Sequence, residues 1–249
     1  MIWTKGGLAG AAMAAVALLA ACASSGAGGR AVQIVQRDGG CTPTTVQATP
    51  GEKLKLVVKN ESNMDYEIEG IDGTKLEELI IPSGLTRTPG YTVPDGPGIH
   101  KLKCYVPAGV STIIEIHAGN AAATAPATAP AASGVSTVAA PAGTVVTATL
   151  ADYTISAGKT DVPAGTVTFI AKNASPDLAH ELAVLRAKGS GSYEKLGEIE
   201  ALAPDQSGEM TLNLTPGNYV LACLIVPGEA GSTVDHFKLG METAFHVGP

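Results

Sequence analysis

Two stretches of this chain repeat one another, and a repeat of this length fixes the architecture before any single motif does. GEKLKLVVKNESNMDYEIEGI runs from Gly51, and GTVTFIAKNASPDLAHELAVL runs from Gly165. Each is a strand-like run ending in Lys-Asn, then a polar turn, then a second strand. With small gaps, Tyr66-Glu67-Ile68 falls opposite His180-Glu181-Leu182. Further on, PGIHKLKCYVPAG faces PGNYVLACLIVPG, and the spacing from Gly98 to Cys104 equals that from Gly217 to Cys223. Both blocks close on a strand, TIIEIHAG and ETAFHVG, which sets His117 opposite His246. Only 16% of residues are charged, and Val, Thr, Gly and Pro are plentiful. That balance favours short strands and turns over helices. The expected fold class is all-β, with two tandem Greek-key β-sandwich domains.

Each unit reads as seven or eight short strands. In the second they are expected near 144–150, 152–156, 166–172, 180–186, 194–199, 208–213, 218–224 and 242–247. Turn signals separate them, such as Pro-Ala-Gly at 163–165 and Thr-Pro-Gly-Asn at 215–218. The stretch 174–181 is open to a helical turn. Between the units, residues 119–142 are an Ala/Pro/Thr run that cannot build a core. It reads as a linker, leaving domains at 31–118 and 143–249. If flexible, it lets the second domain reach partners over roughly 25–30 Å.

The N-terminus reads as an export signal. Lys5 is a short positive region, and Leu8 to Ala21 is an apolar and small-residue core, too short for a membrane span. Leu19-Ala20-Ala21-Cys22 resembles the bacterial lipobox. The resemblance implies a signal peptide over 1–21, cleavage before Cys22 and lipidation of its thiol. The alternative is an ordinary signal peptide with a chance cysteine. Residues 22–30 would be a tether. The protein is then expected in the cell envelope, on the extracytoplasmic side, held to a membrane by its lipid alone. Losing Lys5 moves the net charge from −7 to −8. That balance argues against nucleic acid as a partner and against electrostatic docking on anionic lipid.

The residues that carry chemistry stand late in the chain, in the order His180, Cys223, His236, Met241. Two imidazoles, one thiolate and a weak axial thioether suit both copper oxidation states. His180 follows the turn NASPDLA and opens the strand HELAVLR. Cys223 ends the strand NYVLAC. The loop LIVPGEAGSTVDHFKLGM then supplies His236 and Met241 before the final strand. Taken singly, each has a plainer role: a polar rim histidine, a small apolar filler for cysteine, a core methionine. Their joint order at these points is what carries the copper reading.

Here the second block resembles the cupredoxin family. The resemblance rests on Lys172-Asn173, His180-Glu181-Leu182, Tyr219-Val220-Leu221-Ala222-Cys223 and His236-Phe237-Lys238-Leu239-Gly240-Met241. It implies one type 1 copper held by His180, His236, Cys223 and the axial Met241. One departure stands out. Twelve residues separate Cys223 from His236, more than compact cupredoxins have.

The first block keeps the pattern without the ligands. Tyr66 stands at the His180 position, and the loop after Cys104 is ten residues shorter than the loop after Cys223. With Cys22 assigned to lipid and Cys223 to metal, Cys41 and Cys104 remain, and an exported protein usually pairs two spare cysteines. Two free thiols, or a site with His100 or Met64, are the alternatives. Gly40-Cys41-Thr42-Pro43 with the late Cys104 resembles the cupredoxin-like domain of bacterial periplasmic iron-uptake lipoproteins, which implies a link to metal handling.

No nucleophile–base motif, phosphate loop or His-Glu-x-x-His is present. Five histidines are too few for a trinuclear copper cluster, and Ala222 and Leu224, not histidines, flank Cys223. The expected function is a non-enzymatic, lipid-anchored one-electron carrier whose partner is a redox protein. The alternatives are a copper sequestration or delivery protein with a copper donor or acceptor as partner, and a metal-free binding or assembly module. The first domain would serve as a spacer or docking module.

Overall fold

The computed structural model describes residues 29–119, 143–189 and 191–249. The leader, Cys22, most of the tether and nearly all of the 119–142 linker lie outside these residues. Among the described residues there is no helix, so none is long and apolar enough to cross a membrane.

The first domain holds β1 (Arg30–Arg37), β2 (Gly40–Thr42), β3 (Thr45–Ala48), β4 (Lys53–Asn60), β5 (Tyr66–Ile71), β6 (Leu79–Ile81), β7 (Thr86–Arg87), β8 (Gly90–Thr92), β9 (Gly98–Tyr105) and β10 (Ser111–Ala118). The second holds β11 (Thr144–Ala151), β12 (Thr154–Ala157), β13 (Asp161–Pro163), β14 (Gly165–Asn173), β15 (His180–Gly189), β16 (Ser192–Leu202), β17 (Ser207–Leu214), β18 (Gly217–Ala222) and β19 (Glu242–Gly248).

The sequence repeat becomes a repeat of topology. In the first domain one sheet runs β2-β1-β4-β7, with β8 also on β4, and the other runs β3-β10-β9-β5-β6. In the second the sheets run β12-β11-β14-β17 and β13-β19-β18-β15-β16. The parallel pairs match too: β1 with β4 and β11 with β14, β3 with β10 and β13 with β19. Each pair of sheets closes on its own core. Ile34, Leu56, Val58, Ile68, Leu102 and Ile116 fill the first, and Leu150, Val167, Phe169, Val184, Leu221 and Phe245 the second. Cys41 and Cys104 form a disulfide between the two sheets of the first domain.

Besides shifts at strand ends, the sequence-based expectations differ from these in three places. The hairpin after β11 turns on Asp152 and Tyr153 (φ 35° and 65°), so β12 starts at Thr154 rather than residue 152. Two consecutive positive φ values give the tight hairpin turn that a right-twisted pair prefers, but Asp-Tyr lacks the glycine that usually announces it. Asp161–Pro163 is a short strand paired with β19, missed because its proline reads as a turn. Residues 174–179 form a loop with no helical turn.

Burial patterns show where the domains meet. β4 and β11 alternate buried and exposed positions, as strands with one covered face do. β5 is buried at five of six positions, and the first six residues of β15 are buried without a break. Their second faces cover one another. Tyr105 of the first domain packs with Ala183, Leu185, Ala222 and Leu224 of the second. The two domains therefore meet over a packed face. Linker composition sets reach, whereas the facing surfaces decide whether the ends dock.

The contact is strongly ionic. Lys195 Nζ lies 2.7 Å from Glu198, 2.8 Å from Glu78, 3.2 Å from Glu69 and 4.0 Å from Glu67. Lys103 Nζ lies 2.9 Å from Glu229 and 3.9 Å from Glu69. Both lysine side chains are 1% exposed. Burial alone would lower their pKa, but the surrounding carboxylates outweigh it and hold both ammoniums charged. With Glu181 there are more carboxyls than ammoniums in the cluster, and desolvation pushes Glu67 and Glu69 up to about 7 and Glu181 up to about 8.

Stability of the copper-free protein is expected to rise by about 1 kcal/mol as pH falls from about 8 to 6.5. The folded pKa of Glu67 and Glu69 lies above the unfolded 4.5, so their contribution is present at low pH and lost as pH rises through about 7. Glu181 acts in the same sense. Below pH ~6.5 the buried histidines, whose folded pKa is depressed, pull the other way. Denaturant midpoints at the two pH values measure this, and a flat or inverted profile would contradict it.

Candidate metal centre

The loop from β14 to β15 delivers His180, and one asparagine fixes that loop. Asn173 Nδ2 donates to the Leu178 and Leu202 carbonyls at 2.7 and 2.8 Å, and its Oδ1 accepts from Ser175 N at 2.9 Å. Asn60 makes the same three bonds in the first domain, to Met64 O, Ile81 O and Ser62 N. This is why the asparagine recurs in the repeat. Asn173→Ala leaves two carbonyls and one N–H to find partners, and is expected to cost about 2–4 kcal/mol in chemical denaturation. A loss under about 1 kcal/mol would show that the loop holds itself.

His180, Cys223 and His236 converge among the described residues, with one donor atom from each within 4.8 Å of the others. His180 Nδ1 lies 3.2 Å from His236 Nδ1, and Cys223 Sγ lies 3.3 Å from the same His236 nitrogen. His180 and Cys223 are fully buried and His236 is 1% exposed. Met241 is also fully buried and packs in the same core. Its N–H donates to His236 O and its carbonyl accepts from Cys223 N, both at 3.1 Å, so the backbone ties the last three residues of the set together. Cys223 lies one residue past the end of β18, which stops at Ala222 and not at Cys223 as expected.

The charge states suit cation binding. Burial lowers the His180 pKa and, with the His180 imidazole, takes His236 down to about 4. Both rings are therefore neutral near pH 7, with ring lone pairs free for a metal. Burial and the nearby Glu181 carboxylate push the Cys223 thiol well above its ordinary range. A cation at this point would offset that cost, and the thiol proton would leave on binding. The donor set of two imidazoles and one thiol, with a thioether buried in the same core, fits copper.

Supporting contacts surround the three donors. Glu181 N donates to Cys223 Sγ at 3.5 Å, while Glu181 Oε1 accepts from Leu224 N at 2.7 Å. His236 Nε2 lies 3.1 Å from Ser232 Oγ, which fixes that ring. His180 Nε2 has no hydrogen-bond partner among the described residues. The Tyr153 ring stands edge-on to His236 at 5.1 Å between centroids and to His180 at 6.3 Å. Its turn is anchored to the His180 loop, since Ser175 Oγ donates to Asp152 Oδ1 at 2.7 Å. Tyr153, Ser232 and Asn173 were not singled out from the sequence as parts of the site. The recurring Lys-Asn was the only signal that pointed at any of them.

In the first domain the corresponding positions lack this chemistry. Tyr66 opens β5 as His180 opens β15, and its hydroxyl donates to Arg37 O at 2.6 Å. Cys104 is spent on the disulfide, which leaves no thiol for a site with His100 or Met64. His117 lies in β10, where it meets Glu115 at 2.8 Å.

No family model matches the chain, and no curated protein does. Among solved structures, the chain is similar to a dithionite-reduced auracyanin from the photosynthetic bacterium Roseiflexus castenholzii, at 19% identity and TM-score 0.34, over 44% of this chain and 100% of that one. It is similar to auracyanin A, a "blue" copper protein from Chloroflexus aurantiacus, at 20% identity and TM-score 0.31, over 42% and 99%. A copper-containing nitrite reductase from Thermus scotoductus aligns at 12% identity and TM-score 0.29, over 88% of this chain and 68% of that one. These likenesses are distant in both measures, and the chemistry is read from the residues themselves.

Proposed function

We propose that this chain is an exported, lipid-anchored copper protein that passes single electrons on the extracytoplasmic side of a bacterial membrane. The observation that carries the reading is the convergence of His180 Nδ1, His236 Nδ1 and Cys223 Sγ, with Met241 buried in the same core as Cys223. Copper bound there supplies the one-electron couple. The protein's part is to hold two neutral imidazoles and one thiolate in fixed positions, so that little rearranges when the charge changes. The packed core and the supporting contacts from Glu181 and Ser232 serve that end. Ala222 and Leu224, which flank Cys223, cannot ligate a second metal, and this favours a carrier over a copper enzyme. The first domain has no metal of its own in this reading. The anchor at Cys22 and the leader before it belong to the proposal on their sequence alone.

Copper sequestration or delivery is a second reading, favoured by the burial of all four residues, which leaves no ligand edge at the surface. The deciding experiment adds one equivalent of Cu(II) to residues 31–249 and records the visible spectrum beside Cys223→Ser. An intense thiolate-to-copper band, absent from the variant, is the expected result. Reversible voltammetry then supports the carrier, while very tight Cu(I) binding without reversible oxidation supports sequestration. Folded protein with no band and no bound copper would sink both readings and leave the metal-free module.

A further inference from the structure

The long loop between Cys223 and His236 does not stand free. It lies on the first domain: Leu224 packs on Tyr105 at its start, and residues 228–230 are held by polar contacts. Ala230 N donates to Asp72 Oδ1 at 2.8 Å. Lys101 Nζ donates to Gly228 O at 2.6 Å and pairs with Asp72 Oδ2 at 2.8 Å. Lys103 Nζ meets Glu229 at 2.9 Å, and Glu229 Oε2 in turn accepts from Val226 N at 3.1 Å. Gly228, at φ 93°, comes so near that a Cβ there would lie 3.5 Å from Ile113 of the first domain.

These contacts lead to the metal ligands in few steps. Gly228 N and Ser232 O are bonded at 2.9 Å, and Ser232 N donates to Glu229 O at 2.8 Å. Ser232 Oγ then meets His236 Nε2 at 3.1 Å. His236 N returns to Ile225 O at 3.0 Å, which closes the loop on itself. The three residues clamped by the first domain, 228–230, are therefore the base on which Ser232 and His236 are set. The short loop after Cys104 in the first domain closes locally instead, Val106 N to Val110 O at 2.9 Å.

We infer that the first domain is the anchor of the metal-ligand loop, with Asp72, Lys101 and Lys103 as positioning residues that set His236 against Cys223 and His180. The inference rests on the copper reading above for its chemistry, and on the contacts alone for its geometry. A loop this long, left unattached, would sample many conformations and lose pre-organisation of the imidazole. Docking it on a rigid neighbouring sheet removes that freedom. The first domain is thus part of the centre's scaffold rather than a spacer.

The test uses residues 31–249 carrying Asp72→Ala, with Asp72→Asn as the conservative control that keeps an acceptor for Ala230 N. Asp72 is partly exposed, so the variant is expected to fold. In copper-free protein, amide exchange at Ala230, Ser232 and His236 should rise by about tenfold, the factor one ordinary hydrogen bond controls, with β15 unchanged. In copper-loaded protein the thiolate-to-copper band and the reduction potential should shift, and Asp72→Asn should restore both. Unchanged exchange would overturn the inference. Faster exchange with an unchanged band and potential would also overturn it, by reducing these residues to a structural clamp. If the wild type takes up no copper, the copper reading fails, and exchange at His236 alone decides whether the first domain anchors the loop.

Discussion

Lys195→Met is expected to destabilise the protein by about 3–5 kcal/mol at pH 8, the cost of stripping the cation from a buried group of like charges. The Lys195 ammonium sits within 4.0 Å of Glu67, Glu69, Glu78 and Glu198 and is the nearest positive charge to most of them. Without it, the carboxylates repel one another across a desolvated interface. The loss should shrink at pH ~6, where Glu67 and Glu69, already raised to about 7, take up protons. Urea titrations of variant and wild type at the two pH values measure both effects. A loss under about 1 kcal/mol at pH 8 would mean that water reaches the cluster and screens it. Any such deficit belongs to the orphaned carboxylates and is not the net worth of the pairing.

Removal of the Cys41–Cys104 disulfide is the second large effect. The bridge spans 63 residues of chain and ties the two sheets of the first domain together. Loop-closure entropy for that span is worth about 4 kcal/mol. The Cys41→Ala/Cys104→Ala variant should therefore melt in two steps, with the first domain unfolding earlier by calorimetry. The second domain has its own closed core and should keep its transition. A single transition at the wild-type temperature would contradict the prediction.

The fold was legible because its signals are local and occur twice. Strand alternation in Leu54-Lys55-Leu56 or Val146-Thr147-Ala148 needs no partner to be read. The order of His180, Cys223, His236 and Met241 was readable because each stands at a strand end or in one loop. What the sequence concealed is non-local. Glu67 and Glu69 alternate with Ile68 as an exposed face would, yet they are 4% and 8% exposed because another domain covers them. Nothing near Tyr153 announces that a tight turn will lay its ring against two histidines far along the chain. The docking of residues 228–230 was invisible for the same reason, since its partners lie more than a hundred positions away.

The contact between the domains has a symmetry that bears on stoichiometry. The outer face of β5 and β9 meets the outer face of β15 and β18, which are their topological counterparts. In a homodimer this would be an isologous contact, a surface meeting its own copy, and every feature would appear twice. Joining the two copies in one chain releases them from that rule. Lys103 can face Glu229 while its counterpart is Ala222, and Tyr66 can stand where the other half has His180. One sandwich can then give up its binding residues and specialise in support. A symmetric pair would carry two histidine–cysteine clusters or none, whereas the duplicated chain carries one for every two sandwiches.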